Sequence, residues 1–309
     1  MASTPASSAT AGRVSGERGS PAAFWSRTRL PYLLLAPTVL IVFAFLIWPI
    51  LSLLFFSTQS TPIGDKPTFV GTGNFGLLFA EAHFQGNLVA SLEYLGGVLV
   101  LSVPLAYFAA VLISSRGGTA GIFRTLFLLP WVTAPVVSAI LFRTMVDADG
   151  PVPTVLAAMT GKEWLFLVRS NLSILTVILH SAWRSFPLEM LLIAAGLATI
   201  PMELYESARV DGASEWTQFR YITFPLTRRQ LFIAVLLITI FTLQDSESIF
   251  AITRGGPGYA TETVGVRLFK EAFIYSNMGI SSAIGVILIL LCIVFLALYL
   301  RILGRGQAQ

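Results

Sequence analysis

Charged side chains are scarce, with Lys, Arg, Asp and Glu making up only 12% of the 309 residues. A soluble globule of this length needs a polar skin that so few charges cannot supply, which excludes that class. Cysteine occurs once, at Cys292, so no intrachain disulfide can form, and inside its apolar run the thiol reads as buried and inert. Two histidines, His83 and His180, beside one cysteine are too few for a metal-ligand cluster. No G-x-x-x-x-G-K-[ST] stretch occurs. Gly161-Lys162 lacks the preceding glycine, so no phosphate-cradling loop is encoded. No nucleophile–base arrangement is visible either, and the chain reads as one that performs no covalent chemistry. The net charge of +4 is modest, and the arginines sit beside apolar stretches without interleaved aromatics, so nucleic acid is not the expected partner.

What is abundant is apolar surface, at 55% of residues and a mean hydropathy of +0.78. A bilayer core of about 30 Å needs roughly 20 apolar residues in a helix. Six stretches qualify: Leu30–Phe56, Leu88–Ser114, Ile122–Met145, Leu172–Ala198, Leu231–Ile252 and Ile280–Ile302. Pro130 and Pro135 interrupt the third and Pro187 the fourth, either as packing kinks or as bends lining a pathway. Residues 1–29, rich in Ala, Ser, Thr and Gly, read as a disordered tail. Residues 30–303 form the six-helix domain with a charged loop at 200–226, and 304–309 are a short tail. The first apolar run is too long for a signal-peptide core and is expected to be retained.

The arginine and lysine distribution sets the expected orientation. With the N-terminus inside, Arg13, Arg18, Arg27, Arg29, Arg116, Arg124, Arg209, Arg220, Arg228, Arg229, Arg301 and Arg305 are cytoplasmic. Only Lys66, Arg143, Lys162, Arg169, Arg254, Arg267 and Lys270 lie outside, so both termini and the 200–226 loop are expected in the cytoplasm.

That loop carries the most specific signal. Pro201 suits a helix start, Met202 to Val210 reads as a short helix, and Asp211-Gly212 breaks it, Gly212 being free to take positive φ. Ser214 is positioned to cap a second helix through Tyr221, with Trp216, Phe219 and Ile222 at three-residue spacing, and Pro225 is expected to end it. An interfacial helix resting on anionic headgroups would be rich in Lys and Arg on its polar face. Here Glu203, Glu206, Asp211 and Glu215 balance the arginines, which favours a protein partner.

The run Glu206-Ser207-Ala208-Arg209-Val210-Asp211-Gly212-Ala213, followed by Phe219, Ile222 and Phe224-Pro225, resembles the E-A-A-x-x-D-G-A loop of binding-protein-dependent ABC importer permeases. Ser207 replaces the second alanine, and Arg229 stands where the family often has a second proline. Arg124 to Pro130-Trp131, Ala182-Trp183 and Ala195-Gly196-Leu197 through Ile200-Pro201 extend the likeness. Thr253-Arg254-Gly255-Gly256-Pro257-Gly258 with Thr261 is similar to the G-G-P-x-x-x-T outer loop of the maltose-type sugar-importer branch. The resemblance implies an all-α polytopic permease of the type I importer fold in a prokaryotic plasma membrane. It implies a second homologous six-helix subunit, two nucleotide-binding ATPase subunits carrying ATP and Mg, and an extracytoplasmic solute-binding protein. No cofactor is expected on this chain. By the same resemblance Glu206, Ser207, Ala208, Asp211, Gly212 and Ala213 engage the ATPase.

Charged and strongly polar groups within spans mark pathway candidates, because hydrocarbon excludes them unless protein or water receives them. These are Glu93 in the second span, Arg184 in the fourth, and Gln244, Asp245 and Glu247 in the outer half of the fifth. Gln244, Asp245 and Glu247 with Phe241 or Phe250 offer the hydrogen-bonding groups and apolar ring that a sugar needs. Pairing among these charges to fix helix register is the alternative. Arg184 leaves an anionic solute such as a glycerol phosphate open. The loop at Gly255, Gly256 and Pro257 is read either as a gate or as a plain connector. An ion-coupled secondary transporter would be expected to carry internal repeats, and no clear duplication is seen in six spans.

Overall fold

The computed structural model describes residues 32, 34–61, 66–114 and 120–305. The expected tail at 1–29, residues 306–309 and Arg116 of the charge count lie outside the described residues. The chain divides after Ser52. Up to that point it holds most of helix α1, Leu34–Ser57, apolar on all sides, with Phe45 and Leu40 exposed. A helix with no polar face needs lipid or protein on every side.

From Leu53 onward, a two-residue antiparallel hairpin, β1 Gln59–Ser60 with β2 Thr68–Phe69, leads into α2, Gly73–Ala80. The 33-residue α3, Ala82–Ser114, follows. Then come α4 (Ala120–Val132), α5 (Pro135–Val146), α6 (Pro151–Thr160) and α7 (Ser170–Leu197). Next are α8, Met202–Val210, and the four-residue α9, Glu215–Gln218, which passes through the π turn Phe219–Thr223 into α10, Phe224–Gln244. The last three are α11 (Glu247–Thr253), α12 (Val264–Phe273) and α13 (Met278–Arg305). Among the described residues, four helical runs are long and apolar enough to cross a membrane: α1, α3, Glu215–Gln244 and α13 up to Ile302. Two bent pairs raise the number to six if each counts as one span. Gly121–Val132 meets Pro135–Thr160 at 93°, and Ser170–Leu197 meets Met202–Val210 at 72°.

The first of those bends falls between Pro130 and Pro135. Proline at the start of α5 removes an N–H and disfavours a helical Ala134, which sits at φ −55°, ψ 135°. The third span is therefore broken and not merely kinked.

Two expectations about the fifth span need correction. It does not run from Leu231 to Ile252. The helix that carries it begins at Glu215, continues for 30 residues to Gln244, and stops at Asp245, whose ψ of 96° leaves the helical region. Nor does Pro225 end the helix that Ser214 starts. The turn before it widens to π, so the Phe224 N–H reaches the Phe219 carbonyl and the proline falls in the first turn of α10, where a missing N–H is tolerated.

Three apolar clusters hold these elements. Tyr94 and Val98 of α3 pack with Val177 and Ile178 of α7, Ile238 of α10 and Ile249 of α11. Ala106, Tyr107 and Ala110 of α3 meet Phe186, Met190 and Ile193 of α7. Leu78 of α2 and Phe84 of α3 close on Val264, Ala283 and Ile284. The α3–α7 contact is tight because Gly97 has no side chain. A Cβ there would lie 2.5 Å from Ile178 Cδ1. Burying these large side chains at about 25 cal/mol per Å² of area removed from water is the main force joining the two helices outside lipid contact, and dispersion replaces it within lipid.

Candidate coupling segment and solute cavity

Sequence order alone places a charged, glycine-broken loop after α7. The fold makes it a stiff protrusion. No residue of α8 or α9 is buried, and Val210 is 88% exposed. Between the helices the backbone closes a Schellman cap: the Ala213 N–H donates to the Ala208 carbonyl at 2.9 Å and the Gly212 N–H to that of Arg209 at 3.1 Å. Gly212 takes φ +79°, which an L side chain adopts only with strain. Ser214 Oγ accepts the Thr217 N–H at 3.2 Å, and Gln218 Nε2 donates to the Ala213 carbonyl at 2.9 Å. These bonds give several of the backbone groups freed by the turn a partner.

The protrusion is also tied to the bundle. Tyr205 and Thr223 hydroxyls are 3.0 Å apart, which joins α8 to the π turn. Trp216 stacks on Phe219 at 5.4 Å, and Phe219 meets the edge of Tyr107 on α3 at 5.5 Å. The Tyr107 hydroxyl lies 2.6 Å from Thr227 Oγ1 on α10. Glu206, Ser207, Asp211 and Gly212 remain exposed, with Ala208 and Ala213 half-buried beneath them.

At the far end of α10 the chain forms a cavity of about 350 Å³. Trp131, Ser181, Arg184, Gln244, Asp245 and Glu247 line it. Four of the five in-span candidates are therefore brought together by the break between α10 and α11. Asp245 is the most heavily bonded of them. Its Oδ2 accepts from the Tyr94 hydroxyl at 2.8 Å and from Ser181 Oγ at 3.2 Å, and its Oδ1 accepts the Ser248 N–H at 3.1 Å. The carboxylate thus links α3, α7 and the start of α11. Gln244 and Glu247 are exposed, Gln244 also bordering another pocket beside Cys292, while Arg184 is half-buried with its Nε unpartnered. His180, one turn before Arg184, points elsewhere: its Nε2 lies 3.1 Å from Ser138 Oγ on α5.

Glu93 lies apart from this group. It borders a second cavity of about 930 Å³ with His83, Asn171, Gly258 and Tyr259. Gly255, Gly256 and Pro257 occupy the turn between α11 and α12, with Gly255 at φ +85°. This turn is anchored by a buried ion network that the sequence did not reveal, because its bonded members are up to 184 residues apart. Glu262, 1% exposed, pairs with Lys270 and sits 3.0 Å from His83 Nε2. Arg267 Nη1 lies 2.7 Å from His83 Nδ1, and its Nη2 is 2.9 Å from Glu271. Asn87 Nδ2 donates to the Glu262 carbonyl at 2.7 Å, and Tyr259 packs on the His83 ring at 4.0 Å. A buried carboxylate with several charged donors offsets its desolvation.

Trp131, Ser181 and Tyr94 were also absent from the sequence-derived set. Trp131 alone carried a signal, the proline before it, since a broken span exposes side chains at the break. Ser181 and Tyr94 acquire their roles only when α3 and α7 are packed together.

The chain is similar along most of its length to a probable ABC transporter permease protein of Brucella suis biovar 1, at 31% identity over 90% of this chain and 98% of that one. It is likewise 31% identical to the sn-glycerol-3-phosphate transport system permease protein UgpA of Rhizobium meliloti, covering 89% and 95%. The fold matches that of a bacterial ABC transporter involved in import of the acidic polysaccharide alginate, with a TM-score of 0.78, 22% identity, and coverage of 92% and 98%. The family model for the inner membrane component of binding-protein-dependent transport systems matches residues 102–306, which include the α8–α9 segment and the α10–α11 cavity. Broken spans, the protruding α8–α9 segment and this match agree, and the chain belongs to the family of binding-protein-dependent transport system inner membrane components.

Proposed function

We propose that this chain is the membrane-spanning, non-catalytic half of an ATP-driven importer for a carbohydrate delivered by a solute-binding protein. It works with a second six-helix permease subunit and two ATPase subunits that hold ATP and Mg. Both termini and the α8–α9 segment face the cytoplasm, and the Gly255–Pro257 turn faces outward. The supporting observation is mechanical. The exposed α8–α9 segment is bonded into the same 30-residue helix, Glu215–Gln244, whose other end forms the polar cavity. A helix of that length spans about 45 Å at 1.5 Å per residue. Movement of the segment, gripped by an ATPase through Glu206, Ser207, Ala208, Asp211, Gly212 and Ala213, displaces Gln244 and the break at Asp245. Solute binding and ATP hydrolysis are then coupled through a packed, two-state element in an alternating-access cycle.

The test is Gly212→Val. A β-branched residue at φ +79° is strained, so the turn is expected to open while the bundle, packed elsewhere, persists. Membrane insertion and co-purification of a second permease and a P-loop protein are expected to remain, with solute uptake reduced at least ten-fold. Unchanged uptake, or a chain that purifies without an ATPase, contradicts the proposal.

A further inference from the structure

Arg184 is the cationic side chain of the α10–α11 cavity lining, which also carries Asp245 and Glu247. It stands in the middle of α7, a helix of 28 residues, where a guanidinium is costly unless something anionic or wet receives it. Among the described residues it makes no ion pair within 4 Å, and its Nε is buried without a hydrogen-bond partner. Two carboxylates share the cavity lining, yet neither closes on it. Asp245 already accepts three hydrogen bonds, from Tyr94, Ser181 and the Ser248 backbone. Glu247 lies on the exposed side of the break, at the start of α11. The remaining polar lining groups, Gln244 and Ser185 among them, are neutral.

The geometry points to an anionic solute: a polyhydroxyl compound carrying a phosphate or carboxylate, with its acid group on the Arg184 guanidinium. A planar fork of N–H donors matches two oxygens of either group. Gln244, with both a donor and an acceptor, and Ser185 are placed to meet hydroxyls, and Trp131 supplies a ring beside them. Asp245 is a positioning residue that fixes the break. Glu247 at the rim repels a second acidic group, which favours solutes with one charge near the guanidinium. This assignment rests on the importer reading above and narrows its solute class.

The test uses the purified permease–ATPase complex in lipid nanodiscs, with Trp131 as the internal reporter and Trp131→Phe as its control. Glycerol 3-phosphate and glucuronate are titrated against glycerol and glucose. A charge-assisted pair supports at least a ten-fold tighter half-point for an anion than for its neutral counterpart. The preference is expected to vanish in Arg184→Gln and to persist weakened in Arg184→Lys. Preference for glycerol 3-phosphate alone identifies phosphate as the recognised group, and preference for glucuronate alone identifies carboxylate. Equal affinity for charged and neutral probes, no response to either anion, or an unchanged preference in Arg184→Gln overturns the assignment. Co-purification of the ATPase and the Gly212→Val result are read separately, so the importer reading can stand while this assignment falls.

Discussion

Asp245 shows how a residue named for one task is recruited to another. Its position in an apolar run suggested direct contact with solute, but its carboxylate is occupied by Tyr94, Ser181 and Ser248. Removing one donor to a charged acceptor costs about 1.5–3 kcal/mol where the site stays buried. Tyr94→Phe is therefore expected to lower the unfolding midpoint of the purified complex and to loosen the α10–α11 break. A midpoint equal to wild type shows that the clasp contributes nothing. In the ion network beside the Gly255–Pro257 turn, Glu271 is partly withdrawn from water, and burial raises its carboxyl above the usual range despite the pull of Arg267. An acid raised in the folded state holds more protons folded than unfolded within that window. Its contribution to stability is thus present below the ordinary carboxylate range and is lost as pH rises through the raised value. Glu271→Gln is expected to flatten this decline in a midpoint-versus-pH series, and an unaltered slope excludes Glu271 as its source.

Among elements, the helix from Glu215 to Gln244 carries the argument. Sequence reading found its start, because Ser214 caps it and Asp211-Gly212 marks the preceding stop, both local signals. It missed the continuity through Pro225, since a π turn is set by the tertiary grip of Tyr107 and Tyr205 on Phe219 and Thr223. It also missed the break at Asp245, although Gln244-Asp245-Ser246-Glu247-Ser248 is a polar interruption that could have signalled it. Apolar residues continue on both sides, and hydropathy alone does not register a bend. The π turn fixes the angular relation between α9 and α10. Inserting one alanine between Gln218 and Phe224 rotates α9 by about 100° on the helix axis. Uptake is expected to fall at least ten-fold while both permease subunits and the ATPase still co-purify. Normal uptake in the insertion variant rules out a fixed register.

For the whole molecule, what was legible in the chain was the division of labour: apolar spans, a polar protrusion, and a few charges placed where lipid excludes them. The Glu262–Lys270–Arg267–His83 network was not legible, because pairing between residues so far apart in sequence depends on the packed fold. Glu93, grouped with the in-span charges by hydropathy, belongs to a different cavity for the same reason. The central claim is that the α8–α9 protrusion lies in the cytoplasm against an ATPase and moves the cavity through α10. Val210, 88% exposed at the end of α8, is the place to test it, after the single native thiol is removed by Cys292→Ala. Val210→Cys in that background is expected to resist a membrane-impermeant thiol reagent in intact cells and to cross-link to the nucleotide-binding subunit in membranes, at a rate that changes with ATP. Labelling of Val210→Cys from outside intact cells, or the absence of any cross-link to the ATPase, contradicts the account.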